Sequence, residues 1–151
     1  MGILVASMST TDMENILAHP KSIIAADGAA QSLRPDRTYG FQHPRAYGTQ
    51  TKVLREFVRE KKLLTVEEAV KKMTSMPAEL LGMQHRGKIQ QGYYADVVVF
   101  DPETVSDRST FGNLQCAPVG IETVIVNGRI ALQEGKILCK TAGRLITKNE
   151  T

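Results

Sequence analysis

Gly87-Lys88-Ile89-Gln90-Gln91-Gly92-Tyr93-Tyr94-Ala95-Asp96-Val97-Val98-Val99-Phe100-Asp101-Pro102 is the stretch that divides the chain: a glycine-punctuated turn feeds a run of apolar residues that stops at Asp-Pro. A short β-branched run bounded by turn residues reads as a buried strand over 97–100. Branched side chains pack well on a pleated surface, and Pro102 has no N–H to give to a ladder. Downstream the pattern stays sheet-like. Ile121-Glu122-Thr123-Val124-Ile125-Val126 meets Asn127-Gly128 and then Arg129-Ile130-Ala131-Leu132. Asn-Gly between β-rich runs predicts a hairpin, because both central residues of a type I′ turn need positive φ. Glu134-Gly135 predicts a second turn, and Lys136-Ile137-Leu138-Cys139 a further strand.

Upstream the rhythm changes. Gly2-Ile3-Leu4-Val5-Ala6 is a short apolar run, followed by a cluster of helix-capping side chains from Ser7 to Asp12. Met13, Ile16 and Leu17 then have the spacing of a buried helical face, which His19-Pro20 ends, because the residue before proline is pushed out of the α region. Ser22-Ile23-Ile24-Ala25-Ala26 predicts a second buried strand stopping at Asp27-Gly28, the βαβ rhythm of a parallel sheet. Residues 29–51 read as an irregular loop, interrupted by Pro35, Gly40, Pro44 and Gly48. Helical spacing resumes over 53–62 through Val53, Leu54, Phe57 and Val58. Thr65-Val66-Glu67-Glu68 opens the next helix with a capping box, whose buried stripe is Val66, Ala69, Val70 and Met73. Pro77 suits the first turn of a short helix ending near Leu81-Gly82.

Composition narrows the class. The 151 residues suffice for one ordinary domain, and 42% apolar with 23% charged residues indicates neither disorder nor a disulfide scaffold. Two cysteines, Cys116 and Cys139, without a CxxC spacing, read as free thiols. The formal charge of +3 comes from basic residues spread along helical faces, among them Arg55, Arg59, Lys61, Lys62, Lys71 and Lys72. These read as solvated surface, so no nucleic-acid partner is expected. No apolar run approaches the ~20 residues of a membrane span. Residues 2–8 lack the basic start and length of a signal peptide. The expectation is a cytoplasmic protein without membrane contact.

Four segments now stand in order: Ile24-Ala25-Ala26-Asp27-Gly28, His43-Pro44-Arg45-Ala46-Tyr47-Gly48-Thr49, Ala69-Val70-Lys71-Lys72-Met73-Thr74-Ser75-Met76-Pro77-Ala78-Glu79, and the stretch from Gly92 to Pro102. Together they resemble the C-terminal third of N-acyl-D-amino-acid deacylases, the D-aminoacylases of the amidohydrolase superfamily. The resemblance covers nearly the whole chain. It implies an α/β plus β fold, with residues 1–85 as the last strand–helix units of an eightfold β/α barrel and residues 86–151 as a small flanking antiparallel β-domain. It also implies a zinc-dependent parent enzyme that cleaves the amide of N-acyl-D-amino acids.

Carried over residue by residue, the resemblance places Asp27 at the C-terminal end of the eighth barrel strand. There it shuttles a proton between metal-activated water and the leaving amine, and serves at most as a weak second-site metal ligand in the intact enzyme. Read without the family, Asp27-Gly28 is also what a turn after a strand requires. Arg45 matches the family arginine that grips the substrate carboxylate, a task suited to a planar guanidinium fork. The role of His43 stays open, and His19 and His85 read as ordinary exposed residues. Two departures from the resemblance border the substrate pocket: Ala25-Ala26 stands where the family usually carries Gly-Ser, and the loop between Asp27 and Arg45 is longer than the resemblance leads one to expect.

The histidines, at 19, 43 and 85, form no His-x-His pair and never fall at a ligand spacing. A zinc site needs three or four converging ligands. The chain therefore reads as a C-terminal fragment that retains no metal by itself, zinc belonging to the intact parent. Two βα units cannot close a barrel, so self-association through bare strand edges, as a dimer in the simplest case, is expected. Two other readings remain: a non-catalytic assembly or binding module docking through a sheet edge, and an amidohydrolase acting on another N-acyl amino acid, a cyclic amide or a dipeptide.

Overall fold

The computed structural model describes residues 8–29, 31–33 and 42–147. The apolar run at residues 2–6 lies outside them. The element order is α1 (Thr10–Ala18), α2 (Arg45–Lys52), a π-helix (Val53–Glu60), α3 (Val66–Met73), α4 (Ser75–Leu80), then strands β1 (Val97–Phe100), β2 (Ile121–Val126), β3 (Arg129–Gln133) and β4 (Lys136–Ile137).

The local start signals work as their chemistry requires. Ser9 caps α1, its hydroxyl oxygen accepting the Asp12 N–H at 3.0 Å, and the helix gives way to extended backbone at His19, before Pro20. Thr65 and Glu68 form the reciprocal capping box: the Glu68 N–H donates to Thr65 Oγ1 at 3.2 Å, and the Thr65 N–H to Glu68 Oε2 at 2.8 Å. The four strands make one antiparallel meander in chain order. Asn127 (φ 49°) and Gly128 (φ 76°) both take the positive φ of a type I′ turn, and Glu134 and Gly135 repeat it at the second hairpin.

Four expectations do not hold, the first being burial of the strand over 97–100, whose central Val98 and Val99 are exposed. Residues 22–26 form no strand; they are extended, and the Ile24 N–H donates to the Lys72 carbonyl of α3 at 3.1 Å. An apolar run becomes a strand only with a neighbour to pair it. Among the described residues the one sheet is antiparallel and lies elsewhere, so the parallel strand–helix–strand unit is not formed there. The irregular loop ends sooner than its glycines and prolines suggest, since Arg45–Lys52 is helical with a kink at Gly48. The α1 face is also less covered than its spacing implies. Leu17 packs on the core, whereas Met13 and Ile16 are exposed.

The core joins the helices to the connection between β1 and β2. Val53, Leu54 and Phe57 of the π-helix pack with Leu64, Ala69 and Val105, flanked by Leu17, Ile24, Met73, Phe100 and Ile121. Val105, 1% exposed, lies on that connection and seals the junction. Two arginines of the π-helix fix it in place: Arg59 Nη1 donates to the carbonyls of Pro102 at 2.9 Å and Val105 at 2.8 Å, and Arg55 Nε to Asp107 at 2.8 Å. No helix among the described residues is long and apolar enough to cross a membrane.

Candidate functional site

Asp27 and Arg45, singled out separately in the sequence, meet in space. Arg45 Nη2 stands 3.2 Å from Asp27 Oδ2, with the aspartate side chain 90% and the arginine 47% exposed. Asp27 does not end a strand as expected. It closes an extended segment in the left-handed region (φ 45°), a conformation Asp tolerates better than most residues. Gly28 then lets the backbone touch α2, since a Cβ there would stand 3.0 Å from the Ala46 Cα. The carboxylate is thus carried to the first turn of the helix that presents the guanidinium.

The segment before Asp27 is held by α3. Lys72 is 4% exposed, and its ammonium donates to the His19 carbonyl, to the Ser22 carbonyl at 3.2 Å and to Ser22 Oγ at 2.9 Å. Three N–H donors meet three oxygens, so the buried cation is satisfied without a carboxylate. This corrects the reading of Lys72 as solvated surface. Arg55 and Arg59 are likewise half-buried and hydrogen-bonded rather than free on a solvated face. A faint signal for Lys72 lay in the helical period, which puts it one turn from the fully buried Ala69.

His43, whose role stayed open, opens α2. Its Nδ1 accepts the Arg45 N–H at 3.1 Å, and its carbonyl accepts the Ala46 N–H at 3.0 Å. A bare Nδ1 places the imidazole proton on Nε2. The ring stands edge-on to Phe111, with centroids 5.0 Å apart and planes at 85°. Its pKa is lowered by partial burial first, then by the positive charges of Arg45 and Lys52, so the neutral imidazole is favoured. His19 and His85 are exposed, as expected.

No group of three or more His, Cys, Asp or Glu side chains that could hold a metal ion occurs among the described residues. Asp27 brings one carboxylate, already facing a guanidinium. By themselves these residues do not fit a zinc site. Their chemistry is that of a carboxylate able to exchange a proton beside a cation able to hold an anion.

A profile of the amidohydrolase family matches residues 35–132. Among curated relatives from Alcaligenes xylosoxydans xylosoxydans, the chain is 41% identical to an N-acyl-D-glutamate deacylase over 127 residues, 84% of this chain and 25% of that protein. It is 38% identical to a D-aminoacylase over 147 residues, 97% of this chain and 29% of that protein. The chain therefore spans little more than a quarter of the relatives it matches. Among solved structures, a D-aminoacylase superposes with a TM-score of 0.81 at 38% identity, over 91% of this chain and 28% of that one. The N-acyl-D-glutamate deacylase of Bordetella bronchiseptica, complexed with zinc and a phosphonate inhibitor that mimics the tetrahedral intermediate, gives 0.74 at 40% identity, over 85% and 26%.

Proposed function

The chain belongs to the amidohydrolase family, and from that premise we propose that it is the C-terminal part of a hydrolase that cleaves the amide C–N bond of N-acyl-D-amino acids. The observation that carries this is the meeting of Asp27 and Arg45 at 3.2 Å, in a chain about two-fifths identical to deacylases of that substrate class. Residues 1–85 complete a β/α barrel with segments of the longer protein, and residues 86–151 flank it. The metal of the whole enzyme, zinc in this reading, is held by ligands outside the described residues.

Arg45 binds the α-carboxylate of the substrate through its fork, which fixes the amide in reach of Asp27. Asp27 takes a proton from the attacking water as the O–C bond forms. It returns that proton to the nitrogen as the C–N bond breaks, releasing a carboxylate and a free D-amino acid. The ion pair between the two residues holds the carboxylate and the guanidinium facing each other until substrate arrives.

The test is hydrolysis of N-acetyl-D-amino acids and their L-enantiomers by the longer protein that contains this sequence, supplied with zinc. The D-series should turn over, D27N should lower kcat by about 10²–10⁴-fold, and R45A should raise KM more than it lowers kcat. No turnover of any N-acyl-D-amino acid by the zinc-loaded protein would remove the proposal. A non-catalytic docking role is favoured instead if the protein is inert and binds a partner through the exposed Val98 and Val99 of β1.

A further inference from the structure

We propose that His43 is the positioning residue for Arg45, held in register by Phe111 from the connection between β2 and its preceding strand. The inference rests on the reading of Arg45 as the carboxylate-binding group and adds the device that aims it.

A helix start leaves its first N–H groups without intrahelical partners, and a side chain at the N-cap usually takes one. Here the N-cap is Pro44, which makes no side-chain cap hydrogen bond. His43 does the work from one residue earlier: Nδ1 receives the N–H of Arg45 and the main-chain oxygen receives that of Ala46. Both first amides of α2 thus end on one residue, and that residue fixes where the Arg45 side chain leaves the helix. The Arg45 carbonyl is fixed from the other side, accepting Thr49 Oγ1 at 2.9 Å.

The ring needs its own support, and a different part of the chain supplies it. Thr110 and Asn113 close a tight turn through reciprocal hydrogen bonds, the Thr110 N–H to the Asn113 carbonyl at 2.9 Å and the Asn113 N–H to the Thr110 carbonyl at 3.1 Å. Phe111 at its tip stands edge-on to the imidazole. The turn belongs to the β half of the chain, so the β half sets the direction of a side chain in the helical half. Among the described residues, the charged groups around the ring are Arg45 and Lys52 on α2, with Asp27 reached through Arg45, and Phe111 opposite is uncharged. This surrounding keeps the imidazole neutral and its Nδ1 free to accept.

The test uses the full chain labelled with ¹⁵N. The imidazole nitrogens should report the Nε2–H tautomer with a bare, hydrogen-bonded Nδ1. H43N, whose amide oxygen can accept the same N–H, should keep the exchange protection of the Arg45 amide. H43F keeps the aromatic packing and loses the acceptor, and its Arg45 amide should exchange about fivefold faster. An Nδ1–H tautomer, or Arg45 exchange in H43F equal to wild type, overturns the proposal. The tautomer measurement needs no variant and decides the matter even if H43F does not fold. Adding N-acetyl-D-glutamate separates the two readings. An unmoved Arg45 Nε–H resonance removes the carboxylate-binding role and leaves the His43 hydrogen bond standing, whereas a moved resonance with a failed tautomer does the reverse.

Discussion

The Lys72 ammonium donates to the Ser22 hydroxyl at 2.9 Å across fifty residues of chain, while the Lys72 carbonyl accepts the Ile24 N–H at 3.1 Å. One residue of α3 thus grips the segment leading to Asp27 from both its ends, which makes it the anchor of the acidic half of the site.

Removing that grip should be costly. K72M keeps the aliphatic stem and deletes the three donors; the Ser22 carbonyl loses the ammonium, whereas the His19 carbonyl keeps the Ser22 N–H at 3.1 Å and the Ser22 hydroxyl at 2.9 Å. We expect a loss of about 1 kcal/mol, the net value of the lost hydrogen bonds, partly offset because a buried charge is removed. Urea denaturation with unchanged m-value checks this. A variant as stable as wild type would show that the oxygens find water instead.

Two glycines with the same φ of about 76° should respond differently to alanine. At Gly128 nothing lies within 4 Å of an added Cβ, so G128A should cost only the left-handed backbone penalty, about 1 kcal/mol. At Gly120 the added Cβ would stand 2.4 Å from the Val105 backbone, in the junction between the helices and the sheet. G120A therefore adds overpacking to the same penalty and should cost about 3 kcal/mol or more. Paired denaturation curves decide it, and equal losses at the two sites would mean that the 105 region moves aside freely.

These contrasts show which parts of the structure could be read in the chain. The Asn127-Gly128 turn and the Thr65–Glu68 capping box were legible because each is settled by neighbours within four residues. The run from Ser22 to Ala26 was not, because an apolar pentapeptide carries no information about whether a pairing strand stands beside it; here the Ser22 carbonyl and hydroxyl and the Ile24 N–H meet Lys72 instead. Lys72 itself was misread because its oxygens come from residues fifty or more positions away, and a lysine among lysines looks solvated. The π-helix also escaped notice. One extra residue per turn has no local signature, and its arginines are held by Asp107, Pro102 and Val105, all far along the chain. For the site, Asp27 and Arg45 were named by family likeness, but their contact was not foreseen. His43 was visible only as a histidine before a proline.

Stability should depend on pH through His43. The folded chain holds the imidazole below its ordinary value of about 6.5, by burial first and then by the charges of Arg45 and Lys52. Below pH 6.5 the unfolded chain takes up a proton that the folded chain resists. The contribution is therefore complete above that pH and is lost as pH falls through it towards the lower folded value. Urea midpoints at pH 7.5 and 5.5 should differ more in wild type than in H43N, which cannot titrate. Identical pH dependence in the two proteins would assign the effect to other groups.

The last expectation concerns association. Strand β1 pairs with β2 on one side, and among the described residues its other edge carries no ladder. Its central residues are open as well, Val98 at 51% and Val99 at 42% exposed. An apolar edge of this kind is a template for another strand, and natural sheets blunt such edges with charge. We therefore expect the purified 151-residue chain to self-associate through β1, a two-fold dimer being the simplest closed arrangement. The edge expected at residues 23–24 is not the one to test, because those residues form no strand. Sedimentation at micromolar concentration should show a concentration-dependent species larger than the monomer, which V98K shifts towards the monomer without lowering the thermal midpoint. A wild-type chain that sediments as a monomer throughout that range would show that β1 does not pair between chains.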